Sequence, residues 1–167
     1  MITIRAYEAR DLDACRGLWE ELTEWHRQIY EAPSIGGPEP GLQFDEHLAR
    51  VRASNVWVAE ADGHVVGMAG LIESETEAEL EPLSVSEAYR GRGIGSELAR
   101  VVIAAARERG FRTLVVHPVA RNVDAIRIFR TLGFDVLGQI ELMMDLDPEK
   151  KRRWMSGERL AGREFRF

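Results

Sequence analysis

The sequence predicts an α/β fold of the α+β kind, in one domain spanning residues 1–167. Three observations predict it. Short extended apolar runs are interleaved with longer stretches of helical periodicity. An Asp62-Gly63 pair joins two of the extended runs as a tight hairpin. A glycine-rich turn, Arg90-Gly91-Arg92-Gly93-Ile94-Gly95-Ser96, links another extended run to an amphipathic helix.

Each element follows from its pattern. Ile2, Ile4 and Ala6 alternate as a first strand. Leu12, Cys15, Leu18, Trp19, Leu22, Trp25 and Ile29 recur at helical spacing, with Asp11 placed to cap the helix. Pro33 through Gly41 is too rich in proline and glycine for regular structure and reads as a loop. A shorter helix carries Phe44, Leu48 and Val51. Val56 and Val58 form a strand, and Val65 to Leu71 return after the hairpin turn. Glu79 to Val85 is the fourth strand and leads into the glycine turn. Ile94, Leu98, Val101, Val102 and Ala105 then mark a helix that Gly110 ends. Leu114 to Val116 is a further strand, a helix follows Asn122, and a final pair of strands is expected around Val136 and from Ile140 to Leu146. The total is about seven strands and about four helices. The closing segment, Lys150 to Phe167, is charged, with Trp154, Leu160, Phe165 and Phe167 interspersed; Lys150 to Arg153 reads as a solvated helix face.

Composition bounds the function. Hydrophobic residues make up 45% and charged residues 30% of the 167 positions, which is ordinary for a soluble globular chain. No apolar run reaches membrane-spanning length and the N-terminus lacks a signal-peptide layout, so the expectation is a cytoplasmic protein without a membrane partner. The single Cys15 excludes an internal disulfide framework and a cysteine-based zinc site, and its place on the first helix's apolar stripe makes it a core residue. A net charge of −6 argues against nucleic acid as a partner. Arg90 and Arg92 stand out against that acidic background.

The glycine turn is where chemistry begins. A turn of this kind at the start of a helix aims unpaired backbone N–H groups at one point, and the helix dipole adds positive potential, so the site attracts phosphate. It is not a P-loop, since no Lys-Ser or Lys-Thr follows. It is not the dinucleotide fingerprint, since Ser96 stands where the third glycine belongs. What remains is R-x-x-G-x-G, spelled by Arg90, Gly93 and Gly95. This resembles the acyl-CoA pyrophosphate loop of the GNAT superfamily of N-acetyltransferases. The resemblance continues through Asn122, Ala125, Ile126, Phe129, Leu132, Gly133 and Phe134, which is similar to the family's N-x-x-A-x-x-x-Y-x-x-x-G-F segment, with Phe129 in the tyrosine place.

The resemblance covers Glu79 to Phe134 by motif and the rest by element order. It implies a mixed, mostly antiparallel sheet flanked by helices, and acetyl-CoA as co-substrate in a metal-free direct transfer to a primary amine of a small molecule or peptide. It implies that backbone N–H groups from Arg90, Gly91, Arg92, Gly93, Ile94, Gly95 and Ser96 hold the pyrophosphate. It further implies that the pantetheine arm pairs with the fourth-strand edge at Leu83, Ser84 and Val85, and that Asn122 orients the arm. A backbone N–H near Val85 is expected to meet the oxyanion. A homodimer is an expectation from the same source.

Acetyl transfer needs a neutral amine, and an amine with a lysine-like pKa is only about one part in a thousand neutral at pH 7, so a base helps. Glu79 and Glu81 lie two apart on the fourth strand, with the same parity as Leu83 and Val85, so both carboxylates are expected on that one face. They are the candidate bases, Glu81 ahead for being nearer the expected thioester; an acidic run from Glu73 to Glu81 is equally what a solvated hairpin looks like. His117 is a further titratable group near the cleft by topology, or a satisfied structural histidine. Trp25, His26 and Tyr30 fall where the family builds its acceptor pocket, and Trp25 also continues a core stripe. Phe129 departs from the pattern, having no proton to give the leaving sulfur. Either the thiolate leaves unassisted, or another donor such as Tyr89, His117 or Ser84 replaces the tyrosine, or the chain is a non-catalytic acyl-CoA-binding module.

Overall fold

A computed structural model of the chain describes residues 1–75, 77–144, 146, 157 and 159–166. They separate into two compact units, Met1–His117 and Pro118–Phe167. No helix among the described residues is long and apolar enough to cross a membrane.

The first unit runs β1 (Ile2–Ala6), α1 (Leu12–Tyr30), α2 (Gln43–Val51), β2 (Val56–Ala61), β3 (His64–Glu73), β4 (Ala78–Val85), α3 (Ile94–Glu108) and β5 (Leu114–Val115), with short 3-10 turns between. The sheet order is β1-β2-β3-β4-β5; each pair is antiparallel except the parallel β4–β5. Asp62 and Gly63 both take positive φ, as the tight hairpin between β2 and β3 requires. The central strand β3 is buried without a break from Val66 to Leu71, as expected for a strand covered on both faces. Met68 packs with Cys15, Leu18, Phe44 and Val58 under α1 and α2. Gly67, pointing the opposite way, lies under α3, where an added Cβ would stand 3.1 Å from Leu98 Cδ1. Burying a side chain the size of Phe44 or Met68 contributes about 2 kcal/mol.

One buried charge fastens the sheet to α1. Arg5 on β1 grips Asp11 with both terminal nitrogens, at 2.7 and 2.8 Å, and also donates to Glu60 Oε2 of β2 at 2.8 and 2.9 Å. Asp11 Oδ2 accepts the Glu8 backbone N–H at 2.8 Å, just before α1. Hydrogen bonds from Arg5, above all, hold the Asp11 carboxyl below the usual carboxylate range. Asp11→Ala is therefore expected to cost about 2 kcal/mol in chemical denaturation at pH 7. The stabilisation in the parent is complete above the unfolded carboxyl pKa of about 3.9 and is lost as pH falls through the lower folded value. An acid-unfolding midpoint unchanged in Asp11→Ala would refute this account.

β4 is the irregular strand. Its register against β3 runs Gly67–Val85, Met68–Ser84 and Ala69–Leu83, then slips by one to Leu71–Leu80 and Ile72–Glu79. The extra residue lies at Glu81–Pro82, opposite Gly70, and the peptide between them is cis. Gly70 is needed here for close approach, since a Cβ would fall 2.5 Å from the Glu81 carbonyl oxygen and 3.1 Å from Pro82 Cδ. Proline suits a bulge because it has no N–H to contribute to the ladder.

The second unit contains α4 (Val123–Thr131) and a two-residue ladder of β6 (Arg159–Leu160) and β7 (Arg163–Glu164). Asn122 caps α4 by accepting the Ala125 N–H at 3.0 Å, and Gly133 takes φ +103° just beyond its end. The expected strands around Val136 and from Ile140 to Leu146 are not formed by the described residues there, so the central sheet has five strands where about seven were expected. Val136, Leu137, Ile140, Leu142 and Met144 are exposed. Apolar alternation specifies which face a strand would bury, but a strand exists only where a ladder satisfies its backbone. Leu160 and Phe165 are half-buried, while Lys150 to Arg153, Trp154 and Phe167 lie outside the described residues.

Candidate active site

The glycine turn ends with Gly93 at φ +81°, a conformation that strains any residue with a Cβ, and this residue caps α3. The first α-helical bond of α3 is from Glu97 N–H to Gly93 O, at 3.1 Å. The N–H groups of Ile94, Gly95 and Ser96 therefore precede any intrahelical acceptor and point out of the helix end. Arg90 Nε donates to Val85 O at 3.0 Å. Arg92 Nη2 donates to Ala88 O at 3.1 Å, with its guanidinium 4.9 Å from the Tyr89 ring centroid. Arg90 thus fastens the turn to the end of β4 and Arg92 to the 3-10 turn that follows it, and both keep their charge beside the helix N-terminus. Three free N–H groups, a helix dipole and two guanidinium groups fit a pyrophosphate.

The lower half of β4 has a backbone edge to offer. Ser86 N–H bonds Val66 O at 2.9 Å, which makes Ser84 and Met68 the hydrogen-bonded pair before it. Leu83 and Val85 therefore turn their own N–H and C=O groups away from β3. β5 pairs only with Ala78 and Glu79, so it does not reach them. With Val85 O already accepting from Arg90 Nε, the edge offers the Leu83 N–H and C=O and the Val85 N–H, the kind of surface to which an extended amide-bearing chain adds as a strand. Ser84 itself is buried and points to α1, its hydroxyl donating to Leu18 O at 3.3 Å.

The bulge redistributes the side chains of β4. Glu79 pairs with Ile72 and shares the face of Gly70 and Met68, the α1 and α2 face. Val85 pairs with Gly67 and faces α3, close to Gly95. The expectation that Glu79 and Glu81 share a face with Leu83 and Val85 is therefore corrected: one inserted residue puts the carboxylates and the two apolar side chains on opposite faces. Glu79 and Glu81 do lie together, on the helix α2 side.

These carboxylates are held in a charged cluster. Arg50 Nη2 of α2 donates to Glu81 Oε2 at 2.8 Å. His117 Nδ1, with Glu79 Oε1 2.7 Å away, is the proton donor of that pair. Buried His47, also on α2, donates from Nε2 to the Glu81 carbonyl at 3.3 Å and has Nδ1 3.8 Å from Glu81 Oε1. Its ring packs on Trp19, centroids 4.8 Å apart, and burial keeps it neutral at pH 7. Burial pushes the Glu81 carboxyl above the usual carboxylate range, Arg50 opposes this, and the neighbouring Glu79 charge reinforces it. A carboxylate so placed, half-exposed and hydrogen-bonded, takes up a proton more readily than a free one. Sequence reasoning missed His47 and Arg50. The available signal was a histidine among the apolar positions Phe44, Leu48 and Val51 of α2.

The remaining candidates of the first unit fall elsewhere. Trp25, His26 and Tyr30 are half-buried on the last turns of α1, where the Trp25 and His26 rings meet at 5.3 Å. Burial lowers the His26 pKa. A cavity of about 490 Å³ beside α1 is lined instead by Arg16, Glu20, Glu24, Arg27 and residues 38–42. Cys15 is fully buried and its thiol is pushed up to about 12, so it supplies no thiolate at neutral pH. In the second unit, Asn122 uses its side chain as the α4 cap. Phe129 is buried and meets Phe134 edge-on at 5.5 Å.

Comparison with known proteins agrees with the fold. Residues 19–134 match the acetyltransferase (GNAT) family. The chain is 32% identical over 94 residues to N-acetyltransferase 8B of Rattus norvegicus, covering 53% of this chain and 42% of that protein. It is 32% identical over 97 residues to N-acetylaspartate synthetase of Homo sapiens, covering 57% of this chain and 32% of that protein. The chain thus spans less than half the length of these curated relatives. Among solved structures, ribosomal-protein-alanine N-acetyltransferase from Brucella melitensis superposes with a TM-score of 0.65 at 27% identity, over 81% of this chain and 86% of that one. With the match extending across α1 to α4, this chain belongs to the acetyltransferase (GNAT) family.

Proposed function

We propose that the chain is an acetyl-CoA-dependent N-acetyltransferase acting by direct attack of a primary amine of a small molecule or peptide. The observation that carries this reading is one strand, β4, bearing a carboxylate pair, an open backbone edge and a terminus tied to an anion-seeking helix end. Relatives named for N-acetylation of aspartate and of a ribosomal-protein alanine support an amine acceptor.

Bound acetyl-CoA supplies the activated acyl group. The N–H groups of Ile94, Gly95 and Ser96 bind its pyrophosphate, Arg90 contributing its charge since its own N–H is held by Glu87 O at 3.2 Å, and the Leu83–Val85 edge aligns the amide-bearing arm. Glu81 accepts the proton that the acceptor ammonium must shed, and Glu79, fixed by His117, raises its proton affinity. The Val85 N–H is the donor assigned to the oxygen that gains charge. Asn122 and Phe129 keep the cofactor-side roles that their motif positions give them. With phenylalanine at 129, the thiolate leaves without a tyrosine proton, which its low basicity allows.

The test is acetyl-CoA-dependent thiol release across polyamines, amino acids, aminoglycosides and short peptides. Saturable release with one acceptor class supports the proposal. Silence across the panel from folded protein favours a non-catalytic acyl-CoA-binding module, the reading that the missing hydroxyl at Phe129 motivates. Phe129→Tyr separates the two further: the transferase is expected to change kcat by less than about tenfold, since thiolate departure needs no acid. A large gain in turnover would mean an enzyme impaired by phenylalanine.

A further inference from the structure

The carboxylate cluster contains a cation that a simple amine acceptor does not need. Arg50 projects from α2 with 56% of its side chain exposed, and it is paired to Glu81. A plain ammonium entering the cluster must compete with this guanidinium for Glu81 and is repelled by it. An acceptor with its own carboxylate meets complementary charges: a guanidinium for the carboxylate, and Glu81 with Glu79 for the ammonium. We infer that the acceptor is an amino acid or related compound carrying a carboxylate beside its amino group, and that Arg50 is the residue that selects it. The inference rests on the transferase reading.

The geometry permits an exchange of partners. A pair this exposed is weakly held, so Arg50 can exchange Glu81 for an incoming carboxylate, and its planar fork matches that group in two hydrogen bonds. Glu81 is then left facing His47 of α2, Glu79 of β4 and, through Glu79, His117 beyond β5. With its counter-ion withdrawn, it becomes the more basic carboxylate when the ammonium arrives. One ion pair becomes two: guanidinium–Glu81 is replaced by guanidinium–acceptor carboxylate and Glu81–ammonium. Selection and activation of the base are one event.

The experiment measures thiol release from acetyl-CoA with amino acids, their carboxamides and the matching decarboxylated amines, using the parent chain and Arg50→Gln. The parent is expected to favour acids over amides by roughly tenfold or more in kcat/KM, the worth of a charge-assisted pair. Arg50→Gln is expected to abolish that preference, mainly through KM for the acid, and Arg50→Lys to restore part of it. Amides or plain amines used as well as acids would overturn the inference and leave the transferase standing, as would a preference that survives in folded Arg50→Gln. No release from any acceptor would overturn both.

Discussion

Replacing Glu81 with Gln is expected to lower kcat by about 10²- to 10⁴-fold, the usual worth of a positioned general base. Glutamine keeps an oxygen for Arg50 and nearly the same shape, so folding and acetyl-CoA binding are expected to persist. The pH dependence carries the sharper signature. Burial raises the folded Glu81 carboxyl, and only the deprotonated form can act as a base. Activity of the parent therefore rises with pH across a limb lying above the ordinary carboxylate value, and Glu81→Gln removes that limb. The measurement is kcat/KM from pH 5 to 9 for both proteins. A variant that retains the limb would transfer the base role to another group, with Glu79 and its partner His117 the next pair to test.

The second large effect is at the helix end. A Gly93→Glu, Gly95→Glu double variant places two carboxylates where phosphate is expected, and forces a side chain onto the +81° φ of residue 93. The dissociation constant for acetyl-CoA is expected to rise on the order of 100-fold or more, through lost charge-assisted hydrogen bonds and new repulsion. Calorimetric titration reads the affinity, and thermal melting shows that the protein is folded. Normal affinity in a folded double variant would sink the assignment of the 90–96 turn.

The elements that positioned these groups were legible to different degrees. α1, α3 and the glycine turn could be read because helical spacing and positive-φ glycines are local properties. Asn122 and Gly133 marked α4 for the same reason. The bulge at Glu81–Pro82 was not legible as a change of face: counting by twos from Glu79 to Val85 assumes a regular ladder, and only pairing with Gly70 shows the slip. Pro82 was the one warning. His47 and Arg50 escaped because they belong to no motif; only tertiary packing brings a short helix to β4. The segment from Val136 to Met144 has the alternation of a strand, but its described residues form no ladder.

The slipped residue in β4 also has a bearing on how such a chain can diversify. Because Glu81 looks toward α2 while Val85 looks toward α3, changes along α2 can be inherited without disturbing the face that supports the glycine turn. Deleting Pro82 would merge those two surfaces and make every later change on one side a change on the other. A single insertion thus gives natural selection separate handles on what is modified and on what donates.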